Sequence, residues 1–262
     1  MKIGIIGAGN MGGAIARGLI NSNKVEAKDL VVCDLGIKQL EKLSIDYPGI
    51  NVSTDNISAV NDTDVVILAV KPWLVEPVLK GIAPHIAYSR QALVSIAAGI
   101  TIEQLSSWVT EYSKNPIIFR AIPNTAISIG QSMTFLSHSK TDCKNVNIVL
   151  EIFSALGKAT VIEERLMSAA TSLCSCGIAY AMRYVRAATE GGVELGLYPE
   201  QAKEFVLQTM RGAIELLEAT GNNPEVEIDK VTTPGGITIK GLNTMEANGF
   251  TTAIIEGLKA SK

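Results

Sequence analysis

The feature that most constrains this chain is a short apolar run followed at once by closely spaced glycines. Lys2–Gly7 ("KIGIIG") has the composition of a buried strand, and Met11–Ile20 ("MGGAIARGLI") has that of a helix packed closely on it. Between them, Gly7, Gly9 and Gly12 form a G-x-G-x-x-G pattern. Such a hexamer alone is weak evidence, but between a strand and a helix it favours close approach of a pyrophosphate. The sequence therefore predicts a β-α unit that binds a dinucleotide.

The same alternation of strand and helix continues through the first 162 residues. Apolar strands without alternating polar positions indicate a parallel sheet that is covered on both faces. Strand–helix alternation then predicts an α/β fold with an N-terminal Rossmann-type, doubly wound sheet over residues 1–162. Thr101 and Gln104 are spaced as a capping box for one of its helices. The predicted strands are Lys2–Gly7, Leu30–Asp34, Asn51–Thr54, Asp64–Val70, Ala92–Ala97, Pro116–Ile122, Ser132–Leu136 and Lys158–Ile162.

Residues 163–262 have a different pattern, because strand-like runs stop and apolar residues recur at helical spacing. We predict three helices: Glu163–Leu197, one from Pro199 to Gly221, and a last one from about Thr238 to Lys259. Three helices in about 100 residues bury little, and several of their faces are apolar. The sequence therefore predicts an all-helical C-terminal dimerisation domain over residues 163–262, packed against a second subunit in a homo-oligomer.

Composition narrows the class of protein. Hydrophobic residues make up 47% of the 262 residues and charged residues 19%, which is typical of a soluble globular protein. With a net charge of −3 there is no basic surplus, so we expect neither nucleic acid nor an anionic membrane as a partner. No apolar run is long enough to span a bilayer, and because the first predicted strand begins at Lys2 we expect no cleaved signal peptide. Four cysteines without disulfide or zinc spacing lead us to expect a reduced, cytoplasmic protein without a metal site.

The end of the second predicted strand bears on which nicotinamide cofactor is used. Asp34 lies about 20 residues beyond the glycine motif, where an acidic residue accepts the ribose hydroxyls of NAD. A carboxylate there should repel the 2′-phosphate of NADP, whereas the nearby Lys38 would attract it. Asp34 favours NADH, and the residues leave NADPH open as the alternative.

Ligands in doubly wound folds bind beyond the carboxyl ends of the strands. That rule adds Asn56 after the third strand, Ala69–Pro72 after the fourth and Ala97–Gly99 after the fifth. Pro72 holds Lys71 at a strand end, which favours a cofactor contact for this lysine. The predicted cofactor-binding residues are Gly7, Ala8, Gly9, Asn10, Met11, Gly12, Asp34, Asn56, Ala69, Val70, Lys71, Pro72 and Ala97.

Five stretches of the chain resemble the pyrroline-5-carboxylate reductases. They are "IGAGNMGGAIARGL" from Ile6, "AVKPWLVEPVL" from Ala69, "SIAAGI" from Ser95, "RAIPNT" from Arg120 and "VTTPGGITIKGL" from Val231. The last stretch is the most specific, because it looks like the family's Ser/Thr-Pro-Gly-Gly signature, whereas many dehydrogenases share the glycine motif. The resemblance runs through the whole chain in order and spacing.

The resemblance implies hydride transfer from NAD(P)H to the cyclic imine 1-pyrroline-5-carboxylate, giving L-proline in the last step of proline biosynthesis. It also implies a helical domain interlocked in a dimer, often within a ring of dimers, and it favours NADPH. One stretch departs from the family pattern. Cys174-Ser175-Cys176-Gly177-Ile178 stands where the family usually has Ser-Gly-Ser-Gly-Pro, so a proline and a serine are lost before the long helix.

The Pro-Gly-Gly stretch suggests how a small carboxylate could be held. Gly235, Gly236 and Ile237 offer consecutive main-chain N–H groups at a helix N-terminus, which is an anion site that needs no arginine. Thr238 then presents a hydroxyl that can orient the imine nitrogen, a catalytic role that the family resemblance also implies. Glu164 matches a family position near the substrate pocket. We therefore predict substrate contacts at Gly235, Gly236, Ile237, Thr238 and Glu164, with catalysis by orientation and charge stabilisation.

Two other functions are alternatives for a chain with a dinucleotide-binding domain and a helical domain. A β-hydroxyacid dehydrogenase of the same two-domain type generally needs a lysine base on the helical domain, and residues 165–190 contain none. A non-catalytic, nucleotide-binding redox sensor would not need an intact Pro-Gly-Gly-x-Thr stretch.

Overall fold

The computed structural model describes residues 1–139 and 143–262. The chain divides into two compact units, Met1–Ser175 and Cys176–Lys262. Residues 163–175, which the sequence pattern assigns to the helical domain, pack with the first unit in this division. The domain boundary after residue 162 stays a prediction.

The first unit contains one sheet of eight strands in the order β3-β2-β1-β4-β5-β6-β7-β8. The strands are β1 (Ile3–Ile6), β2 (Leu30–Cys33), β3 (Asn51–Ser53), β4 (Val65–Leu68), β5 (Ala92–Ser95), β6 (Ile118–Ile122), β7 (Ser132–His138) and β8 (Gly157–Val161). Its helices are α1 (Asn10–Asn21), α2 (Ile37–Asp46), α3 (Pro72–Ile82), α4 (Ile102–Ser107), α5 (Cys143–Ser154) and α6 (Met167–Ala170). The order 3-2-1-4-5-6 of the first six strands confirms the predicted Rossmann-type, doubly wound fold.

The expectation of a wholly parallel sheet is wrong at one strand. The first six strands are mutually parallel, but β7 pairs antiparallel with β6, with Phe119 opposite His138. A parallel pair needs a crossover of a dozen or more residues, and only one 3-10 turn, Thr125–Ile129, separates β6 from β7. The longer connection through α5 then returns β8 parallel to β7.

Hydrophobic clusters cover both faces of the sheet, as the apolar strands predict. Neighbouring strand residues point to opposite faces, so Ile5 packs in the cluster that contains Ile15 of α1, and Ile6 in the cluster that contains Leu79 of α3. Strand β4 is four residues long rather than the seven expected from Asp64–Val70, and the residues that follow it line a cavity described below.

The second unit consists of α7 (Gly177–Glu194), α8 (Pro199–Thr220), α9 (Pro224–Val231), α10 (Ile237–Ala247) and α11 (Phe250–Ala260). Helix α8 is confirmed with its caps, since Pro199 occupies the first turn and Gly221 ends it in the left-handed region at φ 64°. The expected single last helix is wrong, because Gly249 at φ 81° separates α10 from α11. Helix α9 was missed, although Asn223 caps it by accepting a hydrogen bond from the Glu225 amide at 3.0 Å.

The unbroken helix predicted over Glu163–Leu197 is also wrong. Before α7 the chain forms a 3-10 turn at Glu164–Leu166, the short α6, and a π-helical turn at Thr171–Cys176. Within this segment the Thr171 hydroxyl donates to the Met167 carbonyl at 2.7 Å, and the Ser172 hydroxyl to the Ser168 carbonyl at 3.2 Å. Such side-chain bonds to carbonyls four residues back bend helices, which is consistent with an interrupted helix here.

Very little of the second unit is buried within the chain. Among residues 176–262 only Ala202 and Glu227 are buried, and an apolar groove of about 660 Å³ runs between α7, α8 and α11. Long amphipathic helices without a core of their own need a partner to cover them. No helix in the described residues is long and apolar enough to cross a membrane.

Candidate functional site

A cavity of about 680 Å³ opens at the carboxyl ends of β1, β2, β4 and β5. It brings together all but two of the predicted cofactor residues: Gly7, Gly9, Asn10, Met11, Asp34, Asn56, Ala69, Val70, Lys71, Pro72 and Ala97. Ala8 and Gly12 are absent from its lining and belong to the loop and helix that shape it. The sequence reasoning included Ala98 but missed the rest of its apolar wall, which comprises Ile6, Cys33, Leu35, Leu74, Val78 and Ile96. Leu35 and Ile96 follow the ends of β2 and β5, and Ile6 and Cys33 end their strands, which was a usable signal. Leu74 and Val78 lie on α3, where no local pattern marks them.

The three motif glycines are required for three different reasons. Gly7 has φ 107°, and a Cβ there would lie 2.6 Å from the Ala69 carbonyl oxygen. A Cβ on Gly12 would lie 1.9 Å from the Gly7 carbonyl oxygen, so helix and loop pack against each other only with glycine. A Cβ on Gly9 would meet no atom within 4 Å. The chain itself leaves the space over Gly9 open, on the side where a pyrophosphate approaches in such folds.

The start of α1 can bind an anion. Gly9 is its N-cap residue, and no side chain caps the helix. The Gly7 amide donates to the Cys33 carbonyl at 2.7 Å, which ties the glycine loop to β2. The uncapped N–H groups at the start of a twelve-residue helix therefore lie beside the cavity, where the helix dipole favours negative charge.

Asp34 is half-buried and accepts two short hydrogen bonds from main-chain amides. Its Oδ2 lies 2.6 Å from the amide nitrogen of Ala8, and its Oδ1 lies 2.6 Å from that of Gly36. The carboxylate thus holds the glycine loop to the β2–α2 turn. Since a carboxylate offers about four acceptor sites, two remain for ribose hydroxyls.

The far wall of the cavity is built on the turn after β3. Asn56 begins the 3-10 turn Asn56–Ala59, and Asp55 caps that turn through a 3.0 Å bond from the Ile57 amide. The Cys33 thiol donates to the Asp55 carbonyl at 3.2 Å, and burial raises the pKa of this thiol to about 11. Cys33 is therefore a neutral packing residue at neutral pH.

The Pro-Gly-Gly stretch in the second unit has the geometry expected of an uncapped helix start. Gly235 adopts φ 71°, and Gly236 is the N-cap of α10 without any side-chain cap. The Gly236 amide donates to the Thr233 carbonyl at 2.9 Å, and a Cβ on Gly236 would lie 2.6 Å from the Thr233 hydroxyl oxygen. Both glycines are thus needed for the turn, and Ile237 and Thr238 are exposed at its end.

Glu164 lies in the first unit, where its carboxylate already has two partners. Its Oε1 accepts hydrogen bonds from the Arg120 Nη1 and from the amide nitrogen of Ile102, both at 2.8 Å. Arg120 is buried on β6, so this is an ion pair with one shielded partner. Sequence reasoning gave Arg120 no role of its own, because nothing local shows that residues 102, 120 and 164 meet.

The stretch that departs from the family pattern occupies the end of the π-helical turn. Asn124 donates to the Cys174 carbonyl at 3.5 Å, and the Ser175 hydroxyl donates to the Pro123 carbonyl at 3.2 Å. Burial raises the pKa of the Cys174 thiol, and all four cysteines are free. The irregular helix therefore coincides with the unusual sequence and is tied to the segment after β6.

Two known protein families match different parts of the chain. Residues 164–262 match the family "Pyrroline-5-carboxylate reductase dimerisation", and residues 2–99 match "NADP oxidoreductase coenzyme F420-dependent". The second match covers β1 to β5 and hence the cavity-forming strands.

Individual proteins match along nearly the whole chain. Pyrroline-5-carboxylate reductase 2 of Dictyostelium discoideum is 35% identical over 99% of this chain and 90% of its own length. The pyrroline-5-carboxylate reductase of Synechocystis is 34% identical over 100% of this chain and 96% of its own. The crystal structure of Plasmodium falciparum pyrroline carboxylate reductase with NADP bound is 29% identical, covers 100% of this chain and 95% of that one, and superposes with a TM-score of 0.89.

Proposed function

Because this chain belongs to the pyrroline-5-carboxylate reductase family, we propose which of its residues carry out the family's reaction. The chain is an NAD(P)H-dependent oxidoreductase of proline biosynthesis, and it reduces the C=N bond of 1-pyrroline-5-carboxylate to give L-proline. The observation that carries this conclusion is the match to named reductases over 99% of the chain at 35% identity.

The nicotinamide cofactor occupies the cavity above β1, β2, β4 and β5. Its pyrophosphate lies on the uncapped start of α1, over the open position at Gly9, and its adenosine ribose is bound by Asp34. Support comes from the glycine geometry, from the absence of a side-chain cap on α1 and from the carboxylate at the end of β2. The NADP in the Plasmodium falciparum relative is consistent with a cofactor of this class.

The substrate carboxylate binds to the main-chain N–H groups of Gly235, Ile237 and Thr238 at the start of α10, while the Gly236 amide donates to the Thr233 carbonyl. Three features support this assignment: Gly235 adopts a left-handed conformation, α10 begins at Gly236 without a side-chain cap, and Thr238 is exposed. The helix dipole stabilises the negative charge, and the Thr238 hydroxyl orients the ring nitrogen as the hydride arrives. A turn of this kind positions a small anion without an arginine or a metal.

NADH is the preferred cofactor. Asp34 presents a negative charge at the adenosine ribose, and its Oδ1 occupies the Gly36 amide, at 2.6 Å, that could otherwise donate to a 2′-phosphate. Both effects disfavour NADPH. The exposed Lys38 acts in the opposite direction, but an exposed lysine pairs only weakly with a phosphate in water.

The second unit is a dimerisation domain, and its helices are covered by a second copy of the chain. The apolar groove between α7, α8 and α11 and the near absence of buried residues support this arrangement. A ring of such dimers is the higher assembly that we propose for solution.

Initial rates with 1-pyrroline-5-carboxylate and each reduced cofactor test this function. We expect oxidation of NADH that depends on the imine, slower oxidation of NADPH, and no oxidation with small β-keto acids. Absence of imine-dependent turnover with either cofactor would refute the assignment.

The role of Thr238 is tested by Thr238→Ala against Thr238→Ser, which keeps the hydroxyl. We expect Thr238→Ala to lower kcat/KM for the imine about tenfold or more, with the dissociation constant for NADH unchanged. A rate equal to wild type in Thr238→Ala would remove the hydroxyl from the mechanism.

A further inference from the structure

Glu164 contacts the first residue of α4, the helix that follows one wall of the cofactor cavity. The loop between β5 and α4 comprises residues 96–101, which we call the β5–α4 loop. Ile96, Ala97 and Ala98 in this loop line the cavity. Its position therefore shapes one wall of the cofactor site.

That wall is on the nicotinamide side. Asp34 at the end of β2 marks the adenosine ribose, and α1 after β1 marks the pyrophosphate. Since the strand order is β2-β1-β4-β5, the remaining half of the dinucleotide extends over β4 and β5. The β5–α4 loop is the part of the chain that follows β5 there.

The loop has few constraints of its own. Gly99 adopts φ 81°, a conformation that leaves the loop without regular structure. At its far end Thr101 forms a capping box with Gln104, with bonds of 3.1 and 2.9 Å. Helix α4 is only six residues long, so it depends on tertiary contacts for its placement.

Glu164 supplies such a contact from 62 residues further along the chain. Its Oε1 accepts the Ile102 amide at 2.8 Å, so the first residue of α4 is held directly. A carboxylate at this place also interacts favourably with the helix dipole. The β5–α4 loop is thereby fixed at both ends, by β5 and by Glu164.

Arg120 holds Glu164 in this position. Arg120 follows Ile118 by two residues on β6, so its side chain is on the sheet face that packs beneath α3 and α4. Its side chain is 9% exposed, its Nη1 lies 2.8 Å from Glu164, and its Nε has no hydrogen-bond partner among the described residues. A buried guanidinium with so few acceptors keeps the carboxylate oriented.

We infer that Glu164, held by Arg120, is a positioning residue that fixes the β5–α4 loop against the nicotinamide half of the cofactor. This inference rests on the proposed cofactor site, and it gives Glu164 a role that requires no contact with substrate. It predicts that loosening this contact weakens binding of the intact dinucleotide but not of its adenosine half.

A test from the loop side removes the amide donor, together with part of a buried apolar side chain, and leaves Glu164 intact. Ile102→Pro has no N–H to give Glu164, yet proline is well tolerated at the first position of a helix. Thr101 before it already has φ −85° and ψ 160°, which suits a residue before proline. Ile102→Val is the matched control, since it keeps the amide and loses one methyl group.

Dissociation constants for NADH and for ADP are measured by calorimetry on each folded variant, with kcat for the imine. For Ile102→Pro we expect NADH binding to weaken about tenfold, the size of one charge-assisted hydrogen bond, and kcat to fall. ADP binding should stay within about twofold of wild type, and Ile102→Val should keep the wild-type ratio of the two constants.

Glu164→Ala and Glu164→Gln test the same hydrogen bond from the acceptor side. They replace the Ile102→Pro measurement if that variant does not fold. Alanine should reproduce the selective loss of NADH binding, and glutamine, which keeps an acceptor oxygen, should restore most of it. Equal weakening of both ligands, or no weakening of either, would overturn the inference. Because the binding measurements use no imine, they remain decisive even if the substrate assignment fails.

Discussion

Replacing Asp34 by serine should move cofactor preference from NADH toward NADPH. In the native chain the Asp34 carboxylate accepts two amide bonds of 2.6 Å, so the change also loosens the glycine loop. NADH and NADPH share that loop and differ only in the 2′-phosphate. The ratio of kcat/KM for the two cofactors therefore cancels the common structural cost and reports the charge at position 34.

The size of the effect follows from Coulomb's law. A phosphate carrying about −1.5 to −2 charges, roughly 5 Å from a carboxylate, is repelled by about 1 to 7 kcal/mol for effective dielectric constants between about 80 and 20. Asp34 is only half-buried, and salt screens the pair, so the lower part of that range applies. We expect about 1.5–3 kcal/mol, or roughly a 10- to 100-fold change in the ratio.

The assay is the initial rate of imine reduction at several concentrations of each cofactor, for wild type and Asp34→Ser, at low and high ionic strength. The change in the ratio should shrink as salt is added. Lys38→Ala is the matched control of opposite sign, since it should lower the use of NADPH and leave NADH unaffected. A wild type that strongly prefers NADPH, or a ratio unchanged in Asp34→Ser, would show that this carboxylate does not set the preference.

Three further predictions concern single positions. Gly9→Ala should weaken NADH binding by about tenfold or more without changing the melting temperature, because a Cβ there meets no protein atom within 4 Å. Gly12→Ala is the contrasting variant, since its Cβ would lie 1.9 Å from a carbonyl oxygen. It should lower both the affinity for NADH and the melting temperature. Gly235→Ala must adopt φ 71°, which costs about 1–2 kcal/mol, so kcat/KM for the imine should fall about tenfold with NADH affinity unchanged. Burial raises the pKa of Cys33 from 9.0 to about 11, so the folded state retains a proton that the unfolded state loses, and this contribution to stability is present below about pH 9 and is lost toward pH 11. The difference in unfolding free energy between wild type and Cys33→Ala should therefore shrink from pH 8 to pH 10.5, and a constant difference would contradict the assignment.

Local chemistry made the cofactor half of this protein predictable. A Cβ on Gly12 would meet the Gly7 carbonyl within the same β-α unit, and Gly7 itself adopts φ 107°, so motif, strand and helix indicate one another. The same holds for the caps of α8, where proline and glycine act on their own helix. In such places the sequence pattern and the final geometry follow from the same short-range contacts.

Features that depend on distant contacts or on breaks within apolar runs were not predictable. The helical pattern continues across Gly249, and only the left-handed φ there shows that α10 and α11 are separate. The direction of β7 depended on the length of one connection. Nothing in the neighbourhood of Arg120 or Glu164 indicates that they meet, because 44 residues separate them. Pairings of this kind are set by tertiary packing rather than by pattern.

The central claim is that main-chain amides ahead of α10 hold the substrate carboxylate. A crystal structure with proline or a non-reactive proline analogue bound tests it most directly. We expect carboxylate oxygens about 2.7–3.2 Å from the amide nitrogens of Gly235, Ile237 or Thr238, with the ring nitrogen toward the Thr238 hydroxyl. Ligand density at another place in the protein, with these amides unoccupied, would contradict it.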